Sequence, residues 1–442
     1  MPERSVLIVG GGGREAALVD KYSQSPHVDS IYAVPGNDMM QDLTEKPVQT
    51  FSNLRTTDTA EIVQICQSNN VTLVDIAQDN AVEAGLGDKL LQEGIVYIGP
   101  TREAGRVEWD KGWAREFMRE NSIPHPTFAV CTTPEEGYEY LDQQIDQPWV
   151  IKTNGLAEGK GVLIVENTTQ AKAAINEIQR FGGTYLIETF LRGEEASIFV
   201  IYDGDEYKII GSAQDHKRVN NYDEGPNTGG MGAYSSPMII TPDILRNIQA
   251  NILDRTIKGM KKRDIPYKGI LYLGGMISSN HEANVIEFNA RWGDPEAQVI
   301  IPGILNDLFE LSMAVAEGNL ANTQIRTDGK VRVAIAGTSR GYPGDYSSVK
   351  GKEIFGLDDA RSIDGVTIYG AGVKKVEDRN YVNGGRLFYV VGEGNTIIDA
   401  RQKAYEAMSI ISIDGNNLHF RTDIGWRDVQ RIRRSGTIFT SS

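Results

Sequence analysis

The segment from Val285 to Glu296 reads Val-Ile-Glu-Phe-Asn-Ala-Arg-Trp-Gly-Asp-Pro-Glu, and as a strand it separates two kinds of residue. Strand side chains repeat every two positions, so Glu287, Asn289 and Arg291 share one face and Ile286, Phe288 and Ala290 the other. A carboxylate and a carboxamide oxygen two residues apart can grip Mg²⁺, which prefers hard oxygen donors and commonly sits between protein carboxylate and substrate phosphate. Arg291 can hold a carboxylate or phosphate by paired, charge-assisted hydrogen bonds. Taken alone, the same pattern also describes a half-exposed strand with a surface ion pair.

Three further segments carry residues of the same kind. Lys152 to Val162 places Lys152 and Lys160 around Gly155, Gly159 and Gly161; it lacks the Gly-Lys-Ser/Thr of a Walker A loop. Such a loop can fold over a polyphosphate, its backbone N–H groups approaching where side chains would clash, or it is a solvated hairpin. Glu188 with the Phe190-Leu191 backbone can receive an adenine, and Glu195 the hydroxyls of a ribose. Asp215, Lys217 and Arg218 form a basic knot beside an acid, and Gly225 to Tyr234 is a glycine-rich loop too apolar at Met231 for a linker. That pair suits a small anion near developing negative charge, with a solvated charge run as the alternative for the knot.

The elements that must position these groups fall into three units. Ser5 to Val9, Ile31 to Val34, Leu73 to Ala77 and Ile95 to Ile98 read as strands alternating with helices, which predicts a doubly wound parallel α/β domain over residues 1–103. Its glycine turn fails the dinucleotide fingerprint, since Glu15 stands at the third glycine position and no acid ends the strand at Val34. The turn can cradle a phosphate with help from Arg14, or it is a tight βα turn without a ligand. Residues 104–329 follow, with a lid subdomain at about 125–197. Short strands around one helix, Ile397 to Ile410, predict a small β-rich unit over 330–442.

Composition narrows the function. A net charge of −15 opposes binding to nucleic acid or anionic membrane, since both reward basic surface. No apolar run is long enough to span a bilayer, and the N-terminus leads directly into a strand, so a cytoplasmic protein is expected. Cys66 and Cys131 lie in separate segments, and the five histidines show no pair at zinc-site spacing.

In this order, these segments resemble the ATP-grasp ligases, and within them the glycinamide ribonucleotide synthetase family; Gly341 to Tyr346, Asn383 to Arg386 and Asp423 to Gly425 extend the likeness. The resemblance implies an α/β, α+β multidomain chain with an ATP-grasp fold, and a ligase using ATP and Mg²⁺ or Mn²⁺. Lys111 and Lys152 would meet the phosphates under the Gly155–Gly161 lid, with Gly159 and Lys160 in it. Glu188, Phe190 and Leu191 would hold adenine, Glu195 the ribose, and Glu287 with Asn289 the metal. Arg291, Lys217 and Arg218 would supply the catalytic cations, and Asp215 would orient the amino acid. Gly11, Gly12, Gly13, Arg14, Asn37 and the loop Asn227, Thr228, Gly229, Gly230, Met231 would receive substrate. Glycine and a phosphorylated amine, phosphoribosylamine in this family, are the implied partners of ATP, in a monomer or weak homodimer. The chain departs from the family pattern at Ala16, Asp38-Met39 and Ala77-Gln78-Asp79, and again at Asp110 and Thr153-Asn154. The first group motivates a sister ligase with another amine as the alternative; a non-catalytic nucleotide-binding module is the third reading.

Overall fold

The structure, a computed structural model, describes residues 3–156, 161–265 and 267–435. The N-terminal sheet has five parallel strands in the order Val48–Thr50, Ser30–Pro35, Ser5–Gly10, Leu73–Ile76, Tyr97–Ile98. Ser5–Gly10 is buried along its whole length, as expected of a central strand covered on both faces. The sequence pattern missed Val48–Thr50, a three-residue strand whose side chains are only partly covered. Two short helices, Asp79–Glu83 and Leu86–Gln92, follow the strand Leu73–Ile76, separated at Gly85, which adopts φ +78°.

The lid is a four-stranded antiparallel sheet in the order Phe128–Cys131, Tyr185–Thr189, Trp149–Thr153, Val162–Val165. Helices Pro134–Asp142 and Thr168–Ile178 cover one face of it, over a core that includes Leu141, Trp149, Ile151, Ile175 and Ile187. This apolar layer gives the glycine loop between Trp149–Thr153 and Val162–Val165 a rigid base.

Nine of the remaining strands form one antiparallel sheet. Its path runs Ala283–Asn289, Gly269–Ile277, Glu194–Tyr202, Tyr207–Asp215, Gly232–Ser235, Val331–Ser339, Arg386–Gly394, Val366–Gly370, with Leu418–His419 pairing to Val331–Ser339. Four strands beyond residue 330 therefore continue the sheet that carries Glu287. The join is the pairing of Gly232–Ser235 with Val331–Ser339, where a Cβ on Gly232 would meet the Ala334 carbonyl at 2.5 Å. A smaller four-stranded sheet and the helices Leu357–Arg361, Ile397–Ile410 and Trp426–Ser435 complete this end. One buried cluster runs from Val6, Ala17 and Tyr22 through Phe199 and Trp292 to Tyr389, so N-terminal, central and C-terminal segments share a core. Among the described residues no helix is long and apolar enough to cross a membrane, and Cys66 and Cys131 are buried free thiols.

Candidate active site

Strand Ala283–Asn289 pairs with Gly269–Ile277 so that Glu287 lies opposite Gly274 and Asn289 opposite Tyr272. A glycine at 274 leaves room for the carboxylate: an added Cβ would stand 3.2 Å from Glu287 Cγ. The strand ends at Asn289, yet Arg291 stays with it, donating from Nη2 to Asn289 Oδ1 at 3.1 Å. Arg291 is further held by Glu108 Oε1 at 2.8 Å and the Trp292 carbonyl at 3.1 Å, with Asp79 Oδ2 at 3.9 Å. Burial pushes Glu108 up to about 7 despite Arg291, and its second oxygen accepts from Ala290 N at 2.7 Å.

Around Glu287 the charges are cationic. Lys217 Nζ stands 3.1 Å from Glu195 Oε2 and 3.8 Å from Glu287 Oε1, so it is shared between two partly exposed carboxylates. The Glu195 charge raises Lys217 well above its ordinary value, outweighing burial. Desolvation works to raise Glu287, but Lys217, Lys152 and Lys111 together hold it below the usual carboxylate range.

Lys152 is positioned by a buried triad. Its Nζ lies 2.7 Å from Glu188 Oε2, while Arg115 donates to both Glu188 oxygens at 2.7 and 3.0 Å. Arg115 also donates to the carbonyls of Val285 and Ile286, tying the lid sheet to the strand that carries Glu287. Burial alone would raise Glu188; Arg115 and Lys152 hold it down at about 2. Glu188 is thus a carboxylate committed to two cations. The Phe190 N–H donates to the Pro148 carbonyl at 3.3 Å. Lys111 donates to the carbonyl of Gly155 at 2.7 Å, at the near end of the loop, and Gly161 closes the far end by accepting from Thr153 N at 2.9 Å. Gly159 and Lys160 lie outside the described residues.

The loop Asn227 to Met231 folds onto the Asp215–Arg218 segment. Thr228 donates twice to the Lys217 carbonyl, at 2.7 Å from N and 2.8 Å from Oγ1, and Met231 N donates to the His216 carbonyl at 2.9 Å. Gly230, at φ +113°, comes so close that a Cβ would stand 3.0 Å from Asp215 Oδ1. That oxygen is buried without a partner among the described residues, as are Asn289 Nδ2 and Thr153 Oγ1. Burial, then the neighbouring Glu296 charge, raises Asp215 well above the carboxylate range. Lys217 and Arg218 do not act side by side. Adjacent residues of an extended chain point to opposite faces, and Arg218 donates to the Gly225 carbonyl at 2.7 Å within its own hairpin.

The N-terminal glycine turn is satisfied from within. Gly12 N donates to Glu15 Oε2 at 2.6 Å, and Arg14 donates to Glu15 Oε1 at 2.6 Å and to the Trp292 carbonyl at 2.9 Å. Asn37 spends its amide on the carbonyls of Gly11 and Gly370, both at 3.0 Å. Gly13 is a packing requirement: a Cβ there would stand 2.3 Å from the Tyr389 ring.

Several residues of this region escaped sequence reasoning. Arg115 was detectable, because it lies four residues after Lys111 on one helix and so on the same face. Glu108 precedes a break at Asp110 and gave no such signal. Arg386 lies in a segment read only as part of the family likeness, with no role given to its side chain, yet it donates to Asp294 Oδ2 at 3.0 Å, to the Asp294 carbonyl at 3.1 Å and to the Gly229 carbonyl. It fastens the Asn227–Met231 loop to the end of the Glu287 segment.

Comparison with known proteins matches the chain in three consecutive parts. The phosphoribosylglycinamide synthetase N domain matches residues 4–108, the ATP-grasp (A) domain of the same family 109–297, and its C domain 331–427. A phosphoribosylamine–glycine ligase of Vibrio cholerae is 36% identical over 432 residues, 96% of this chain and 99% of that protein. One from Mesorhizobium japonicum is 36% identical, covering 98% of this chain and all of that protein. The crystal structure of phosphoribosylamine–glycine ligase from Thermotoga maritima superposes with a TM-score of 0.79 at 29% identity, over 95% of this chain and 100% of the other. A biotin carboxylase domain from Hydrogenobacter thermophilus, 15% identical with a TM-score of 0.73 over 99% of both chains, shares the fold.

Proposed function

The chain belongs to the phosphoribosylglycinamide synthetase family, and from that premise we propose how its residues join glycine to 5-phosphoribosylamine, with ATP cleaved to ADP and phosphate, in purine biosynthesis. The observation that carries the assignment of roles is the convergence of Lys111, Lys152 and Lys217 on Glu287, whose carboxylate they keep ionised. Three cations around one partly exposed acid are a receptor for a highly charged anion such as a triphosphate.

ATP lies between the lid and the nine-stranded sheet. Phe190 and Leu191 border the adenine, Glu195 accepts from the ribose, and Lys111 and Lys152 face the phosphates beneath the loop from Gly155 to Gly161. Glu287 fits Mg²⁺ or Mn²⁺ with its ionised carboxylate, and Asn289 on the same strand would add its Oδ1, which it shares with Arg291 at 3.1 Å, leaving the remaining positions to phosphate and water. Bound there, the ion would neutralise phosphate charge. A glycine carboxylate oxygen attacks the γ-phosphorus, the bond to the β-phosphate oxygen breaks, and ADP departs. The amine nitrogen then attacks the acyl carbon, phosphate leaves with the bonding pair, and the nitrogen loses a proton. Both steps depend on positioning and charge neutralisation.

Arg291, held rigid by Glu108 and Asn289, presents its guanidinium to the glycine carboxylate and to the acyl phosphate formed from it. Lys217 exchanges its hold on Glu195 and Glu287 for the transferring phosphate. Asp215, with one oxygen buried and unpartnered, receives the glycine ammonium. The phosphorylated amine approaches between the Gly11–Arg14 turn, with Asn37 behind it, and the Asn227–Met231 loop.

The test is release of ADP and phosphate by the purified chain. It requires ATP, glycine and phosphoribosylamine together, and Glu287→Gln abolishes it while leaving the melting temperature near that of the wild type. ADP release that ignores phosphoribosylamine but needs a different amine would replace the acceptor in this reading.

A further inference from the structure

Three N–H groups open the first turn of the helix Lys111–Glu120, and all are consumed by two side chains and one carbonyl. Lys111 N donates to the Asn154 carbonyl at 3.2 Å, Gly112 N to Asn154 Oδ1 at 2.6 Å, and Trp113 N to Asp110 Oδ1 at 3.1 Å. Asn154 Nδ2 then donates to that same Asp110 oxygen at 3.1 Å, closing a ring across 44 residues of sequence. A helix ordinarily leaves its first N–H groups to a cap from its own chain end or to a ligand. Here half of the cap arrives from the lid sheet, at the residue before Gly155 where the glycine loop begins.

The clasp has a consequence for Lys111. Its ammonium donates to the carbonyl of Gly155 at 2.7 Å, with that of Asn154 at 3.4 Å, so its place is set by the loop's first two residues. Among the described residues a Cβ added at Gly155 would meet nothing within 4 Å, so the hydrogen bonds of the clasp are what ties that end of the loop to the helix. Asp110 and Asn154 come from segments 44 residues apart, and folding brings their side chains into contact.

We propose that Asp110 and Asn154 are positioning residues for the nucleotide phosphates: a two-sided clasp that pins the start of the glycine loop to the helix and thereby sets where the Lys111 ammonium stands. This rests on the reading of Lys111 as a phosphate ligand. Neither residue touches substrate; both act through Lys111 and the loop.

Chemistry supplies a rescue test. Asn154→Asp keeps an acceptor for Gly112 N but sets a second carboxylate against Asp110. The exchange Asp110→Asn with Asn154→Asp moves the charge across the clasp and keeps its bonds to Gly112 and Trp113, the new amide accepting from Trp113 and donating to the new carboxylate, while giving up only the partly exposed pair of Asp110 with Arg106 at 2.9 Å. ADP binding by calorimetry, with Mg²⁺ present, is measured on the wild type, the single variant and the exchange. The single variant should bind ADP about 10-fold more weakly, the size of one lost coupling between contacting groups, and the exchange should recover to within about threefold. In turnover, KM for ATP should rise in the single variant while KM for glycine holds. An exchange variant that binds as weakly as Asn154→Asp, or that does not fold, overturns the clasp, and so does a parallel rise of both KM values. A wild type that binds ADP but does not join glycine to phosphoribosylamine would instead overturn the assigned reaction, and the binding comparison would still decide the clasp.

Discussion

Two glycine-bearing turns of this molecule are built for opposite purposes. The N-terminal turn supplies its own anion: Glu15 occupies the Gly12 N–H, Arg14 neutralises it, and Gln78 donates to it at 3.1 Å. The lysine-lined surface around Glu287 does the reverse, leaving Lys217 divided between two partly exposed acids and Asp215 with an unpartnered buried oxygen. Fully bonded groups cost free energy to redirect, whereas shared and unsatisfied ones gain by meeting a ligand. The comparison teaches that the N-terminal turn spends its Gly12 donor and Arg14 on fixing its own shape, so what it lends a neighbouring ligand is a firm wall and not that donor. It also assigns the Gly12 turn a second task, since Arg14 reaches the Trp292 carbonyl and clamps the N-terminal sheet to the catalytic segment.

Breaking each side should have unlike outcomes. The largest effect is expected for Glu188→Gln, which strands Arg115 and Lys152 in the interior and should lower stability by about 3–5 kcal/mol in chemical denaturation. Its pH signature follows from the carboxyl being held at about 2, below its ordinary value. The wild-type advantage is full above about pH 4 and shrinks as pH falls through the folded value near 2. Next comes Glu287→Gln, expected to reduce kcat by roughly 100- to 1,000-fold, of the size seen when one preorganised electrostatic group is removed, with little change in melting. Glu15→Gln attacks the self-satisfied turn. It should cost about 1–3 kcal/mol in stability through the lost charge-assisted bonds and raise KM for the amine while leaving KM for ATP unchanged. The smallest contrast is between neighbours: Lys217→Ala should lower kcat at least 10-fold, and Arg218→Ala, whose guanidinium bonds within its hairpin, should stay within about threefold. Equal losses in the two would contradict the separation of their side chains.

How much of this was legible in the sequence depends on the range of the signal. Glu287 and Asn289 could be paired in the sequence because strand periodicity acts over two residues, but a register shift at Ile286 breaks the expected alternation: Val285 is buried, Ile286 and Glu287 are half-buried, and Phe288 and Asn289 are both buried. Parallel strands alternating with helices were readable for the same reason. Glu108 and Arg386 were not, since each works through a contact made by folding: Glu108 through Arg291, and Arg386 through Asp294. Glu188 was readable as a site residue but its partners were not, and those partners decide what it does. The departures at Gln78 and Asp38 looked like changes to a ligand wall. In the structure Gln78 donates to Glu15, and Asp38 Oδ2 accepts from Lys375 N at 2.9 Å and pairs with Lys374 at 3.1 Å. Both residues have partners inside the protein.

The pairing of Gly232–Ser235 with Val331–Ser339 has a last consequence, for how this enzyme can be cut or fused. Three family modules meet along the sequence as though they were separable cassettes, but the backbone ladder does not respect the seam. A fragment ending at 329 would bare the ladder edge of Gly232–Ser235 and the now fully buried Met231 and Tyr234. Unpaired edges of that kind recruit foreign strands. Recombination between relatives should therefore succeed when the central and C-terminal modules travel together and fail when they are exchanged alone, so that the unit of inheritance is larger than the unit of sequence recognition.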